Sequence, residues 1–151
     1  MKRFIDLADF TREEVVDLLA LAERLKQHPE PRALVGRILG LVLLNPSLRT
    51  LSSFQAGMAR LGGTSFVITP GHGTWQLESR LGVTMNGAAA EHVREGIPVL
   101  ASYCDALGIR AFSDGRSSLQ HDLDEITFSS MAGLVDKPVI NLESAMNHPC
   151  Q

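Results

Sequence analysis

The sequence has 151 residues, of which 44% are hydrophobic and 21% are charged, and its formal net charge is −3. A chain of this length forms one domain with a substantial core. The balance of charges gives no sign of nucleic-acid binding or of a polybasic membrane contact, so an anionic ligand has to be held by local geometry. The longest apolar run is too short to span a bilayer and no signal-peptide core is seen, so we expect a cytoplasmic protein. Cys104 and Cys150 lack metal-binding spacing and are expected to be free thiols.

The predicted elements alternate between helix and strand along the chain. The first is an amphipathic helix over Thr11–Lys26, with Thr11 as its N-cap and Glu14 as capping-box partner. Further helices are predicted at Ser52–Leu61, Glu91–Cys104 and Leu119–Leu134, and strands at Arg37–Leu44, Thr64–Pro70, Ala106–Phe112 and Lys137–Ser144. This order predicts a doubly wound α/β domain with a mainly parallel four-stranded sheet and helices on both faces. The apolar first strand is expected to be covered on both sides.

In such a sheet, ligands bind beyond the carboxyl ends of the strands, where the strand order changes direction. The polar residues that follow the predicted strands are Asn45, Ser47, Arg49 and Thr50 after the first, Trp75 after the second, Arg110 at the third, and His148 and Gln151 after the fourth. Helix N–H groups with Ser and Thr hydroxyls form an anion site, and an arginine adds a fork of donors that suits phosphate. The pattern predicts a site for a small phosphorylated ligand.

Other interpretations of the same residues stay open. Ser47 and Thr50 also suit plain helix caps, His148 with Pro149 suits the start of a helix, and Trp75 suits a subunit contact. Arg49 favours an anion, because a cation at the positive end of a helix dipole is unfavourable without one. The sequence has neither a dinucleotide-binding fingerprint nor a P-loop, and no nucleophile–base arrangement is seen.

Taken in order, the segments "NPSLRT", "W…LE", "GIRAF" and "HPCQ" resemble the aspartate/ornithine carbamoyltransferase family in its N-terminal carbamoyl-phosphate-binding domain. The resemblance covers the whole chain, and the pair formed by Ser-x-Arg-Thr and His-Pro-x-Gln is specific. Within the family, the stretch from Trp75 to Phe112 is most similar to enzymes that carbamoylate N-succinyl- or N-acetylornithine in arginine biosynthesis.

The resemblance implies roles for individual residues. Ser47, the backbone of Leu48, Arg49 and Thr50 would hold the phosphate of carbamoyl phosphate, while Arg110, His148 and Gln151 would face the carbamoyl group. Arg49, Thr50, Arg110 and His148 would then be catalytic, with no metal or organic cofactor. Trp75 would close the site, in this family often from a neighbouring subunit of a homotrimer. Ala90 stands where acetyl-preferring members carry Glu, so it removes a charge that would oppose a succinyl carboxylate and favours succinyl.

The sequence departs from the family pattern in two ways, which affect the expected anion binding and activity. Leu51 stands where a second arginine is common, which removes a charge from the anion site or its surroundings. We expect residues 1–151 to form the carbamoyl-phosphate-binding domain without an acceptor domain, and therefore a fragment that is inactive alone. The alternatives are a non-catalytic anion-binding or assembly module, and a fragment of an ordinary ornithine or aspartate carbamoyltransferase.

Overall fold

The computed structural model describes residues 3–80, 82–113, 115 and 118–150. Its strands are β1 (Ile38–Leu43), β2 (Thr64–Ile68), β3 (Leu77–Glu78), β4 (Glu91–His92), β5 (Ala106–Ala111) and β6 (Val139–Ser144). Its α-helices are α1 (Arg12–Gln27), α2 (Leu48–Arg60), α3 (Val93–Ser102), α4 (Leu119–Leu123) and α5 (Ile126–Ala132), and a short 3₁₀ helix covers Leu7–Asp9. Gln151, a predicted site residue, lies outside the described residues.

Four strands form the main sheet in the order β2-β1-β5-β6, and every neighbouring pair is parallel. From β1 the chain continues to β2 on one side, and it later returns to β5 on the other side of β1. The strand order therefore changes direction between β1 and β5. The predicted parallel four-stranded α/β fold is therefore confirmed. A second, two-stranded parallel sheet of β3 and β4 was not predicted.

The sheet is covered on both faces, as expected for the apolar first strand. Leu39, Leu41 and Leu43 point to one face, where residues of α2 such as Phe54 pack against them. Val42 points to the other face, where it joins a cluster built from α3 and α5. Since β1 is buried along almost its whole length, it fixes the position of the residues that follow it.

Three predicted helices have different limits in the structure. Helix α2 begins at Leu48 rather than Ser52, because Ser47 caps it. Helix α3 begins at Val93, because the two residues before it pair with β3. The predicted helix Leu119–Leu134 is two short helices, separated at Asp124 and Glu125, and Glu125 has a left-handed backbone with φ of 53°.

Helix α1 matches its predicted limits and its capping box. The Thr11 side chain accepts from the Glu14 N–H, and the Glu14 carboxylate accepts from the Thr11 N–H. Its apolar face is nevertheless largely exposed, since none of its described residues is fully buried. Among the described residues, no helix is long and apolar enough to cross a membrane.

Candidate functional site

The residues after β1 form the first turn of α2. The Ser47 hydroxyl accepts from the Thr50 N–H at 3.3 Å and donates to the Thr50 hydroxyl at 3.0 Å. Leu48, Arg49 and Thr50 are the first three helical residues, so their N–H groups lack partners within the helix ladder. Leu48 is 81% exposed and its side chain offers no polar atom, which leaves its backbone as the binding group. We call Ser47–Thr50 the cradle.

Leu51 does not belong to the cradle. Its side chain is partly buried and packs against the apolar cluster of β1 and β6 on the α2 face of the sheet. The residue that stands in place of a family arginine thus contributes to the core. The positive charge of the cradle comes from Arg49, whose side chain is exposed.

Arg110 lies at the end of β5 and is only 9% exposed. Its Nε donates to Glu143 Oε2 at 2.8 Å, and its Nη2 is 2.5 Å from the same oxygen. A shift in the ladder between β5 and β6 brings this pair together, because Ile109 pairs with Asn141 while Arg110 pairs with Glu143. Leu142 is thus the extra residue of a bulge, a feature that commonly redirects side chains near functional sites.

The remaining donors of Arg110 bind the chain just before the cradle. Its Nη1 donates to the Asn45 carbonyl at 2.6 Å and to the Pro46 carbonyl at 3.3 Å. The guanidinium carbon also lies 4.6 Å from the centre of the Phe112 ring. The Asn45 side chain accepts from the Phe112 N–H at 3.1 Å, which joins the ends of β1 and β5 a second time. Arg110 is therefore rigidly held and directly linked to the approach to α2.

His148 lies on the other side of Glu143. Its Nε2 is 3.4 Å from Glu143 Oε1, so Glu143 stands between Arg110 and His148. We call Arg110, Glu143 and His148 the ionic centre. The structure thus brings together two of the predicted carbamoyl-facing residues through a carboxylate that the sequence analysis did not identify.

Trp75 and Ala90 belong to a different part of the chain. Trp75 is 61% exposed, and its indole N–H donates to the Glu91 carboxylate at 3.1 Å. Ala90 is exposed and directly precedes Glu91. Among the contacts of the described residues, Trp75 is joined to β4 and not to the cradle. Its predicted role in closing the site stays a prediction.

A cavity of about 670 Å³ lies at the carboxyl edge of the sheet. It is lined by the ends of β1 and β5, by α4 and α5, and by Glu78 and Arg80. The Arg80 side chain binds Glu78 and lowers the pKa of that carboxyl to about 2, so it is ionised at neutral pH. Among the described residues, Asn45 is shared between this cavity and the contacts of Arg110, whereas the cradle and His148 are not part of the lining.

These two groups can act on a phosphorylated ligand. The cradle offers backbone donors, hydroxyls and a guanidinium to a phosphate. The ionic centre offers preorganised donors to charge that develops on a neighbouring oxygen. Within the described part of the chain, no group of three or more His, Cys, Asp or Glu side chains is placed to hold a metal ion. Burial raises the thiol pKa of Cys104 and of Cys150, which keeps both thiols protonated.

A comparison with protein families identifies the family of the chain. The family model described as "Aspartate/ornithine carbamoyltransferase, carbamoyl-P binding domain" matches residues 2–151. The chain belongs to this carbamoyltransferase family. The resemblance of the four motif segments is thereby confirmed.

The carbamoyltransferases that match include both acylated-ornithine types. An N-acetylornithine carbamoyltransferase of Xylella fastidiosa is 38% identical over 151 residues, which is 100% of this chain and 44% of that enzyme. An N-succinylornithine carbamoyltransferase of Bacteroides fragilis is 34% identical over 116 residues, which is 77% of this chain and 36% of that enzyme. The chain spans less than half the length of these curated relatives.

Solved carbamoyltransferase structures share the fold. A crystal structure of acetylornithine transcarbamylase complexed with acetylcitrulline matches with a TM-score of 0.91 and 37% identity, over 99% of this chain and 44% of that one. Another match, with the same TM-score and identity and with 99% and 45% coverage, is an N-acetyl-L-ornithine transcarbamylase in which a glutamate is replaced by alanine. It is complexed with carbamyl phosphate and N-succinyl-L-norvaline.

Glu143 is the site residue that the sequence analysis missed in this carbamoyltransferase domain. A signal was present, because Arg110 and Glu143 are each the only charged residue inside a buried strand of the main sheet. Opposite charges near the same end of neighbouring buried strands are expected to pair, since an isolated buried charge is costly. The single charges in β5 and β6, considered together, predict Glu143 as the partner of Arg110.

Proposed function

We propose that the chain binds carbamoyl phosphate, with the phosphate in the cradle and the carbamoyl group against Arg110 and His148. The observation that carries this proposal is the direct bonding of Arg110 to the carbonyls of Asn45 and Pro46, immediately before the cradle. The cradle and a buried cation are thus held close together at the point where the strand order reverses. Gln151 is proposed as a further contact of the carbamoyl group.

In a complete enzyme, we propose that the acceptor amine attacks the carbamoyl carbon while the bond from that carbon to the phosphate oxygen breaks. Negative charge grows on the carbonyl oxygen and then on the leaving phosphate, and the amine loses a proton. Donors from Arg110 and His148 act on the first charge, and those from Arg49 and Thr50 on the second. Holding both substrates in line supplies part of the rate enhancement. Trp75 of a neighbouring subunit in a homotrimer would cover the site, which fits its exposure in a single chain.

The proposed acceptor is an N-acylated ornithine, within arginine biosynthesis in the cytoplasm. The identity to an N-acetylornithine carbamoyltransferase is 38%, against 34% for an aspartate carbamoyltransferase and 34% for an ornithine carbamoyltransferase, and this difference supports an acylated acceptor. We favour succinyl, because Ala90 places no negative charge against a second carboxylate. We propose that Ala90 corresponds to the glutamate that is replaced by alanine in the relative complexed with carbamyl phosphate and N-succinyl-L-norvaline.

The binding proposal is tested with the 151-residue chain. Carbamoyl phosphate is titrated while backbone and arginine side-chain resonances are followed, and shifts are expected at Arg49 and Arg110. Arg49→Ala should weaken binding about tenfold or more, because it removes a charged donor to phosphate. Arg60→Ala is the matched control, since Arg60 is an exposed arginine at the opposite end of the same helix. Equal affinity in the two variants would remove the cradle from the proposal.

A second arm of the same experiment tests the reaction. The chain is fused to the part of the Xylella fastidiosa enzyme that lies beyond the matched region, and N-succinylornithine, N-acetylornithine, ornithine and aspartate are offered as acceptors. Carbamoylation of an acylated ornithine supports the proposal, and a preference for succinyl supports the role given to Ala90. Binding of carbamoyl phosphate without turnover of any acceptor would favour the non-catalytic anion-binding module.

A further inference from the structure

Glu125 has an unusual backbone conformation. It lies between α4 and α5 with φ of 53° and ψ of 33°, in the left-handed region. Among the described residues, it is the only residue other than glycine with a positive φ. A residue with a Cβ atom is disfavoured in this region, so the surrounding structure has to hold it there.

The Glu125 carboxylate is held by four hydrogen bonds from the turn that follows β6. Its oxygens accept from the Ser144 hydroxyl at 2.7 Å, the Met146 N–H at 2.9 Å, the Ala145 N–H at 3.1 Å and the Asn147 side-chain amide at 3.3 Å. One side chain thus binds four consecutive residues. A carboxylate that accepts several hydrogen bonds is a strong acceptor, and the interaction offsets the strain of the left-handed backbone.

The same turn is anchored to β6 from its other side. The Ser144 N–H donates to the Asn147 carbonyl at 2.9 Å, and the buried Asn141 side chain donates to the Ser144 hydroxyl at 2.8 Å. His148 follows this turn directly, and its imidazole reaches Glu143 at the other end. The position of His148 therefore depends on the conformation of residues 144–147.

We infer that Glu125 is a positioning residue that sets the turn 144–147 and thereby places His148 beside Glu143 and Arg110. It acts through the turn, since the four groups that it binds all precede His148 in the chain. The inference rests on the proposed function, because the ionic centre faces a carbamoyl group only if carbamoyl phosphate is the ligand.

Affinities for two ligands distinguish the positioning of His148 by Glu125 from a general stabilisation of the fold. Inorganic phosphate needs only the cradle, whereas carbamoyl phosphate needs the cradle and the ionic centre. If the turn loses its conformation, the affinity for carbamoyl phosphate therefore falls, while the affinity for inorganic phosphate stays unchanged. Partial unfolding of the domain lowers the affinities for both ligands together.

The experiment uses Glu125→Gln, which removes the charge, and Glu125→Gly, which removes the side chain but suits a positive φ. Asp124→Asn is the matched control, since the adjacent Asp124 is exposed and bonds only to Gln120 among its described side-chain contacts. Affinities for carbamoyl phosphate and for inorganic phosphate are measured, together with the imidazole chemical shifts of His148. The ratio of the two affinities is expected to fall about tenfold in both Glu125 variants and to stay unchanged in the control.

Each outcome bears on the inference. An unchanged ratio in either folded Glu125 variant overturns it. If the wild-type chain binds no carbamoyl phosphate, the proposed function fails. The positioning role of Glu125 is then tested by the imidazole chemical shifts of His148 without ligand, which must change in both Glu125 variants and not in Asp124→Asn. If neither Glu125 variant folds, hydrogen exchange of the Ala145 and Met146 amides in the wild-type chain decides. Protection supports the carboxylate contacts, and exchange at the rate of an open turn refutes them.

Discussion

The cradle and the ionic centre lie at the same edge of the sheet, yet they are built in opposite ways. The cradle is local, because its cap joins Ser47 to Thr50, three positions apart. The ionic centre is assembled from distant segments, since Arg110 binds Glu143 across 33 positions and Asn45 across 65. Leu48 and Arg49 of the cradle are exposed to solvent, whereas the ionic centre already carries its own counter-ion. The first is thus an exposed set of donors, and the second is a preformed support whose charge is partly compensated within the chain.

The largest expected effect comes from the ionic centre. Glu143→Ala leaves the Arg110 charge buried without its partner, and we expect it to lower the free energy of unfolding by about 3 kcal/mol. Urea denaturation of the 151-residue chain measures this change. Glu143→Gln should cost less, because it keeps an acceptor for the arginine.

Glu23→Ala serves as the control for Glu143→Ala. Glu23 is an exposed residue of α1 that accepts from Gln27, so its removal should change stability by less than about 0.5 kcal/mol. A loss below about 1 kcal/mol in Glu143→Ala would show that the ion pair is not the main support of this edge.

Substitutions in the cradle should lower the free energy of unfolding by less than Glu143→Ala does. Ser47→Ala removes the cap of α2, and we expect a loss of about 1 kcal/mol in urea denaturation. Ser52→Ala makes the same change inside α2, where Ser52 is exposed, and should be neutral or slightly stabilising. If the two variants had equal stability, the Ser47 hydroxyl would act on the ligand alone and not on the helix.

The contrast between these regions also explains what the sequence could predict. The cradle was found because its residues are neighbours in the chain, and the parallel sheet was found because β1 and β5 are almost uninterrupted apolar runs. Helix α2 was predicted to begin four residues late, at Ser52, whereas Ser47 caps it and the last three residues of "NPSLRT" already form its first turn.

The parts that were missed depend on long-range contacts. Glu143 was missed because the two single charges in β5 and β6 were not considered as a pair, and the bulge at Leu142 that brings them into register is not predicted by a local pattern. The break between α4 and α5 was missed because its left-handed Glu125 is stabilised by residues about 20 positions later. Helix propensity alone favours one continuous helix there, and the tertiary hydrogen bonds override it.

The smallest expected effect concerns an arginine–carboxylate pair outside both regions. Arg37 and Asp105 are bound at 2.8 Å at the opposite edge of the sheet, where Arg37 is exposed and Asp105 is partly exposed. The Ile38 N–H and the Arg37 guanidinium lower the pKa of the Asp105 carboxyl, the N–H being the larger cause. The ionised carboxylate therefore stabilises the fold at pH values above the ordinary aspartate pKa of about 3.9, and this contribution is lost as the pH falls through the lower folded pKa.

We expect Asp105→Asn to be less stable than the wild-type chain at neutral pH, by less than Ser47→Ala. Urea denaturation at a series of pH values should show the two curves converging in acid, below about pH 4. A difference that stayed constant down to acid pH would mean that the effect of Asp105 does not come from its charge.

The bonds from Arg110 to the carbonyls of Asn45 and Pro46 also set an order of assembly. Helix α2 and its cap can form as soon as residues 47–60 have been synthesised, but the guanidinium that supports their approach arrives 65 positions after Asn45, and its counter-ion 33 positions later still. During synthesis on the ribosome, the first turn of α2 therefore emerges well before the support beneath it. The contacts of the ionic centre can form only after β6 has been synthesised, although the segment that first suggests the candidate site emerges much earlier.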